Sequence, residues 1–287
     1  MRKYMIHTMT AIATLAIASL VGCGGGGSGG TSTKTGYFID SAVEGLEYTS
    51  GTTTGITGAD GSFKYEEGKP VTFKIGSMVL GSVTVTNNRV FPVDLVSGAT
   101  DENHQNVSLM AQILQSLDSD GNASNGILIN ETTRRAITQS IAIATADPSQ
   151  TRNVIRQLLA SNTTGTVRTT LVDQTEAEGH LQSNLIKEYA GNWTGSFTGT
   201  GDSGTCEAQI TDAGNLSGTC TSWALSSAAS VGTFTFSGSV SSSGEYTQGG
   251  ASTGATFAGR YSRNGSVSGQ WRNDTYNIDG TWTMTKQ

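Results

Sequence analysis

Three prolines, three cysteines and three histidines in 287 residues set the first limits on this chain. So little proline excludes collagen-like and polyproline architectures. So little histidine leaves few bases for nucleophilic catalysis or nitrogen ligands for a metal. Charge is also sparse, with 17 Lys and Arg against 23 Asp and Glu and a net charge of -6. A mildly acidic chain without basic clusters lacks the electrostatic footprint of a nucleic-acid binder. It also lacks a polybasic patch for anionic lipid. What is abundant is glycine, 38 residues of it, together with serine and threonine. That composition suits many short strands joined by tight turns. The long apolar run at residues 5–20 contains Thr8, Thr10 and Thr14 and stops at glycine, so it is marginal as a membrane span.

Arg2 and Lys3 precede that run, and it ends in Leu20-Val21-Gly22-Cys23 followed by four glycines. A positive head, an apolar stretch and small residues before the cut describe a secretory signal peptide over residues 1–22. The tetrapeptide resembles the lipobox of bacterial lipoproteins. The resemblance implies that Cys23 carries diacylglycerol, that the new amino terminus is acylated with a palmitate-type chain, and that lipid alone anchors the protein. Gly24 is not the aspartate that retains such proteins in the inner membrane in the enterobacterial version of the family, so the resemblance points to the outer membrane. It leaves open whether the chain faces the periplasm or the outside. In that oxidising compartment Cys206 and Cys220 are left to pair in a disulfide. Residues 23–35, the lipidated cysteine and a Gly/Ser-rich stretch, read as a flexible tether.

Residues 36–100 alternate apolar and polar side chains in short runs, with Asp60-Gly61 as a tight-turn dipeptide. The string Ile39-Asp40-Ser41-Ala42-Val43-Glu44-Gly45, followed by Thr57-Gly58-Ala59-Asp60-Gly61, resembles the prealbumin-like, carboxypeptidase-regulatory-type modules of bacterial surface proteins. That resemblance implies a small β-sandwich-like module. Residues 101–189 change to a helical period. Val107, Met110, Ile113, Leu114 and Leu117 make one stripe. Ala136, Ile137, Ile141 and Ala144 make a second, ended by Asp147-Pro148. Val154, Ile155, Leu158 and Leu159 make a third. A fourth helix is expected from Asp173, with Glu176 completing a capping box.

Residues 190–287 carry a repeat in which a large apolar residue is followed two positions later by glycine, as in Trp193/Gly195, Phe236/Gly238, Val267/Gly269 and Ile278/Gly280. Residues two apart share a strand face, so each large side chain sits beside a gap, which suits a tightly coiled sheet. About eight strand-like runs point to a closed antiparallel barrel, with a sandwich as the alternative. Cys206 and Cys220 stand equidistant from Ala213 in one expected hairpin. The fold class is therefore α+β and multidomain: a β-sandwich-like module, a helical segment and an eight-stranded antiparallel barrel.

The candidate metal site is Asp118, Asp120, Asn122 and Asn125, hard oxygen donors after the first helix, for which calcium is the expected cation. Gly121 comes too early and Ile129 holds the twelfth position, so a full EF-hand is excluded and a helix-capping Asx loop is the alternative. The stretch from Leu114 to Ile127 also resembles a segment that follows the β module in uncharacterised bacterial envelope proteins, a likeness that brings no activity. Trp193, Trp271, Trp282 and Tyr276 are candidates to line a ligand mouth, with ordinary core packing as the alternative. The order of the first barrel strands looks faintly like avidin-type barrels, without a mappable biotin site. Gly201-Asp202-Ser203-Gly204 has the form of a protease nucleophile loop but lacks an imidazole partner. His180 reads as a packed histidine and His104 as a solvated helix start. Glu66-Glu67 and Asp101-Glu102 point apart or outward and form no acid/base dyad. No catalytic residue is assigned. The expected function is a membrane-anchored, non-enzymatic binding, adhesion or structural module, calcium-stabilised, whose partner is an envelope or extracellular protein or a glycan, with no nucleic acid. The alternative is a lipocalin- or avidin-like carrier using the barrel.

Overall fold

A computed structural model describes residues 32–223 and 232–287. The expected signal peptide, Cys23 and the tether up to residue 31 lie outside the described residues. The tether ends sooner than residue 35, because Thr33 already pairs with Glu66 in a strand.

In chain order the first half contains β1 (Thr33–Phe38), β2 (Val43–Glu44), β3 (Glu47–Ser50), β4 (Thr53–Ile56), β5 (Ser62–Glu66), β6 (Pro70–Ile75), β7 (Met78–Thr84), β8 (Arg89–Val90), α1 (Gln105–Ser116), β9 (Ile127–Leu128), α2 (Glu131–Ala136), α3 (Pro148–Ala160) and α4 (Gln174–Lys187). One sheet has the order β5-β1-β8 and the other β4-β3-β6-β7. Their inner faces meet through rings: Phe73 of β6 stands edge-on to Phe38 and Phe63, with centroids 4.9 Å away in each case. Gly61 takes the turn between β4 and β5 at φ +76, a conformation that explains the Asp-Gly pair. The helices close the same core. Val107, Ile113 and Leu114 of α1, Ile155 and Leu159 of α3, and Leu181 and Leu185 of α4 join one buried cluster with the sheet residues. The change of period near residue 100 thus marks a change of element within one core.

The second expected helix is corrected. Helix α2 stops at Ala136, and the carbonyls of Ile137 and Ile141 accept the amides of Ser77 and Val79 along the edge of β7. The free sheet edge takes these backbone groups, and tertiary pairing overrides a helical stripe whose intervening Thr138 and Ser140 are weak helix formers. The expected capping box is also absent from α4: Asp173 caps the Thr175 amide, while Glu176 faces Arg168.

The second half is a closed antiparallel barrel of β10 (Gly191–Gly199), β11 (Asp202–Ile210), β12 (Asn215–Ser222), β13 (Gly232–Val240), β14 (Tyr246–Ala251), β15 (Thr256–Ser262), β16 (Ser266–Asn273) and β17 (Ile278–Lys286), in sequential order. The apolar-x-Gly repeat works across strands. A Cβ built on Gly269 would lie 2.6 Å from the Trp282 indole, and one on Gly280 2.7 Å from that of Trp271. Each ring thus fills the space that glycine leaves on the neighbouring strand. Cys206 pairs directly with Cys220 across β11 and β12 and forms the disulfide, with Cα atoms 4.0 Å apart.

The two halves are locked together at one end of the barrel. Arg263, in the β15–β16 turn, forms a bidentate pair with Asp94 and lies 4.9 Å from the Phe91 ring centroid. At the same end Arg89 meets Glu188 at 2.7 Å, and the Tyr189 hydroxyl donates to the Ser242 carbonyl.

Candidate functional site

The barrel interior is filled. Trp193 is 1% exposed and donates its indole N–H to the Tyr189 carbonyl at the locked end. Trp282 stands mid-barrel among Tyr246, Phe257 and Tyr261, donating to the Ala258 and Gln270 carbonyls. Burial holds the Tyr246 hydroxyl up at about 12. A cavity in this layer measures about 10 Å³, and one nearer the far end about 20 Å³. Neither holds more than about one water. Of the four expected mouth residues, the structure places Trp271 and Tyr276 together on the second of these cavities, with Phe234 and Phe257. Trp193 and Trp282 are core.

Trp223, which sequence reasoning missed, stands on the far rim. That rim's hairpin ends are at residues 200–201, 223, 252–255 and 274–277, opposite the locked end by the up-and-down topology. Trp223 is 56% exposed and Tyr276 46% exposed, the two large rings of the barrel that face solvent among the described residues. Trp223 follows the last alternating pair of β12 and continues its outward phase, where the other positions carry Asn, Ser and Thr. The Gly201–Gly204 stretch is here a hairpin: Asp202 is buried at the rim and accepts the Ser222 hydroxyl at 2.6 Å. The outer wall is polar. Thr219 and Thr221 of β12, Thr233 and Thr235 of β13, and Thr281 and Thr283 of β17 all point outward. An apolar inside and a hydroxyl-rich outside invert the pattern of a lipid-facing barrel.

The loop after α1 holds its acidic residues in a network of Asx hydrogen bonds. Asp120 accepts the Asn122 amide through Oδ1 and the Asn125 side-chain amide through Oδ2, each at 2.9 Å. Asn122 in turn accepts the Ser124 amide. Asp118 is 1% exposed, and its Oδ1 holds the Leu128 amide at 2.9 Å. Burial, and after it the neighbouring Asp120, push the Asp118 carboxyl above its ordinary range, while the Asn125 hydrogen bond leads in holding Asp120 below it. Asn125 presents its side-chain nitrogen to Asp120. Among the described residues no three His, Cys, Asp or Glu side chains converge on one point.

A second polar cluster lies in the first half. Asp40, fully buried after β1, receives the Gln115 side-chain amide of α1 on Oδ2 at 3.1 Å. Its Oδ1 faces His180 Nε2 of α4 at 3.9 Å without a hydrogen bond. The Ser41 hydroxyl lies 3.1 Å from the same nitrogen. Both groups thus crowd one edge of the ring, whereas a hydrolytic triad places serine and carboxylate on opposite nitrogens. Burial raises the Asp40 carboxyl to about 7 and lowers the His180 imidazole. His104 caps α1 through Nδ1, as a helix start should. The paired carboxylates point apart, with Glu66 and Glu102 as the buried members: Glu66 collects the Thr52 and Thr53 amides, and Glu102 the Asn103 and Gln182 side chains.

No protein-family model, no curated protein and no solved structure matches this chain.

Proposed function

We propose that this is a lipid-anchored protein of the bacterial outer membrane that acts as a non-enzymatic binding module, holding an envelope or extracellular partner at the far rim of its barrel. The observation that carries the reading is the exposure of Trp223 and Tyr276 on the barrel end opposite the locked junction. Large rings on a protein surface are costly in water and are the residue types that anchor interfaces. Hydroxyl-bearing walls beside them suit a polar partner, a glycan or a protein surface, which offers hydrogen bonds to its edges and an apolar face to the rings. The anchor rests on the lipobox resemblance at Cys23, and the orientation of the chain follows from it only as far as the membrane.

The filled interior speaks against the carrier alternative, since cavities of about 10 and 20 Å³ leave no room for a small organic molecule. The test is binding of the purified chain to immobilised envelope fractions and to a panel of polysaccharides, repeated with Trp223→Ala, Tyr276→Ala and the double substitution. Loss of binding by tenfold or more in the double variant, at unchanged stability, is the expected result. Unchanged binding in the double variant refutes the assignment of the rim.

A further inference from the structure

We infer that the loop at residues 118–122 binds one calcium ion between the carboxylates of Asp118 and Asp120, with the Asn122 side-chain oxygen and water completing its shell. The deciding observation is Asp118 Oδ2, which accepts no hydrogen bond although the side chain is 1% exposed. A buried carboxylate oxygen left unmet is expensive, and native structures keep few of them. The group it faces makes matters worse, because that group is the Asp120 carboxylate, a second negative charge. Among the described residues no salt bridge reaches Asp118 or Asp120. Arg168, beside Gly121, gives its Nη2 to the Gly121 carbonyl and to Glu176 and keeps a buried Nε–H without a partner.

The donor set selects the ion. Every available atom is a hard oxygen, which excludes zinc and copper preferences for nitrogen and sulfur. Asp118, Asp120 and Asn122 stand at alternate positions around a sharp turn at Gly121, whose φ is +73. Irregular oxygen shells completed by water suit calcium better than magnesium, which demands near-ideal octahedral geometry. Two carboxylates and one amide make a half-open cage, so affinity should fall in the class of extracellular modules, with a Kd of about 10⁻⁴ to 10⁻³ M. The position gives the ion a task. The loop connects the end of α1 to β9, and β9 pairs with β2 in parallel, so the ion would brace the crossover that ties helix to sheet.

Calorimetric titration of the purified full chain with CaCl₂, with MgCl₂ as control, tests the site together with melting in CaCl₂ and in EGTA. One saturable site and a Tm several degrees higher in calcium are expected for the unaltered chain. Asp118→Asn keeps the acceptor that the Leu128 amide uses, Asp120→Asn keeps one of two, and each should weaken calcium at least tenfold. Absence of saturable heat up to about 10 mM calcium, well above the expected Kd, with equal Tm in calcium and EGTA, overturns the inference. An equal response to magnesium also overturns the choice of ion. If neither variant folds, the titration of the unaltered chain decides alone. A Tm gain in Asp118→Asn without any calcium response in the unaltered chain would show that the two carboxylates share a proton, which again overturns it.

Discussion

The barrel builds its core from rings laid over the glycines of neighbouring strands, whereas the preceding half packs rings and aliphatic side chains from sheets and helices together and turns Asp40, Glu66, Glu102 and Asp118 inward among them. In the barrel the described buried carboxylate is Asp202, at the rim. The difference is one of what sets the fold. Barrel packing is a rule of spacing, two residues along a strand and one strand across, so steric change should hurt it most. The first half joins polar groups far apart in sequence, such as Gln115 and Asp40, so pH and ions should act there.

The sharpest break of this contrast is Gly269→Val. A Cβ at that position would stand 2.0 Å from the Ala258 carbonyl oxygen and 2.6 Å from the Trp282 indole. Overpacking against backbone that cannot yield costs about 3 kcal/mol or more. Near-ultraviolet circular dichroism should show loss of the tryptophan signal, and a native spectrum with an unchanged melt contradicts the packing rule.

Asp40→Asn probes the first half. Burial raises this carboxyl to about 7, so the folded state keeps a proton that the unfolded chain releases near its ordinary 3.8. Stability from this group is therefore intact below about pH 3.8 and is lost as pH rises to about 7. His180, lowered by burial, works in the opposite sense: its contribution is present above 6.5 and is lost as pH falls through its folded value. Relative to Asp40→Asn, the unaltered chain should lose about 1.4 kcal/mol per pH unit between about pH 4 and 7, and nothing further above. Denaturant melts across that range provide the measure, and a stability difference that is flat with pH sinks the assignment.

The smallest effect has the opposite sign. Gly179, exposed within α4, has open space where a Cβ would go. Gly179→Ala should stabilise the first half by about 0.5–1 kcal/mol through helix propensity alone. A thermal melt showing destabilisation would mean that the position makes a contact the geometry does not show.

What was legible in the sequence follows the same division. The apolar-x-Gly spacing, the equidistant cysteines and the hairpin turn with Gly214 at φ +79 are local patterns, and the barrel expected from them is the barrel found. Helices α1, α3 and α4 were legible from their stripes and caps. The stripe through Ala136 and Ala144 misled because its backbone serves a sheet edge, which no local pattern encodes. The candidate residues divided likewise. Trp271 and Tyr276 line one small cavity, and Trp193, Trp271 and Trp282 are all buried in the barrel core at different heights. The meeting of Asp40, Gln115 and His180 joins three elements through tertiary packing, and nothing in their local sequence announces it. Trp223 carried a signal in retrospect, a large ring on the outward phase of β12.

The central claim is that the far rim of the barrel, and neither its interior nor its locked end, meets the partner. Photo-crosslinking in cells tests it most directly, with a photoreactive residue placed in turn at Trp223, Tyr276, Gly214 and Asn264. The account predicts crosslinked products from positions 223 and 276 and none from 214 and 264, which lie in turns at the locked end. Products from the locked end with none from the rim would contradict it.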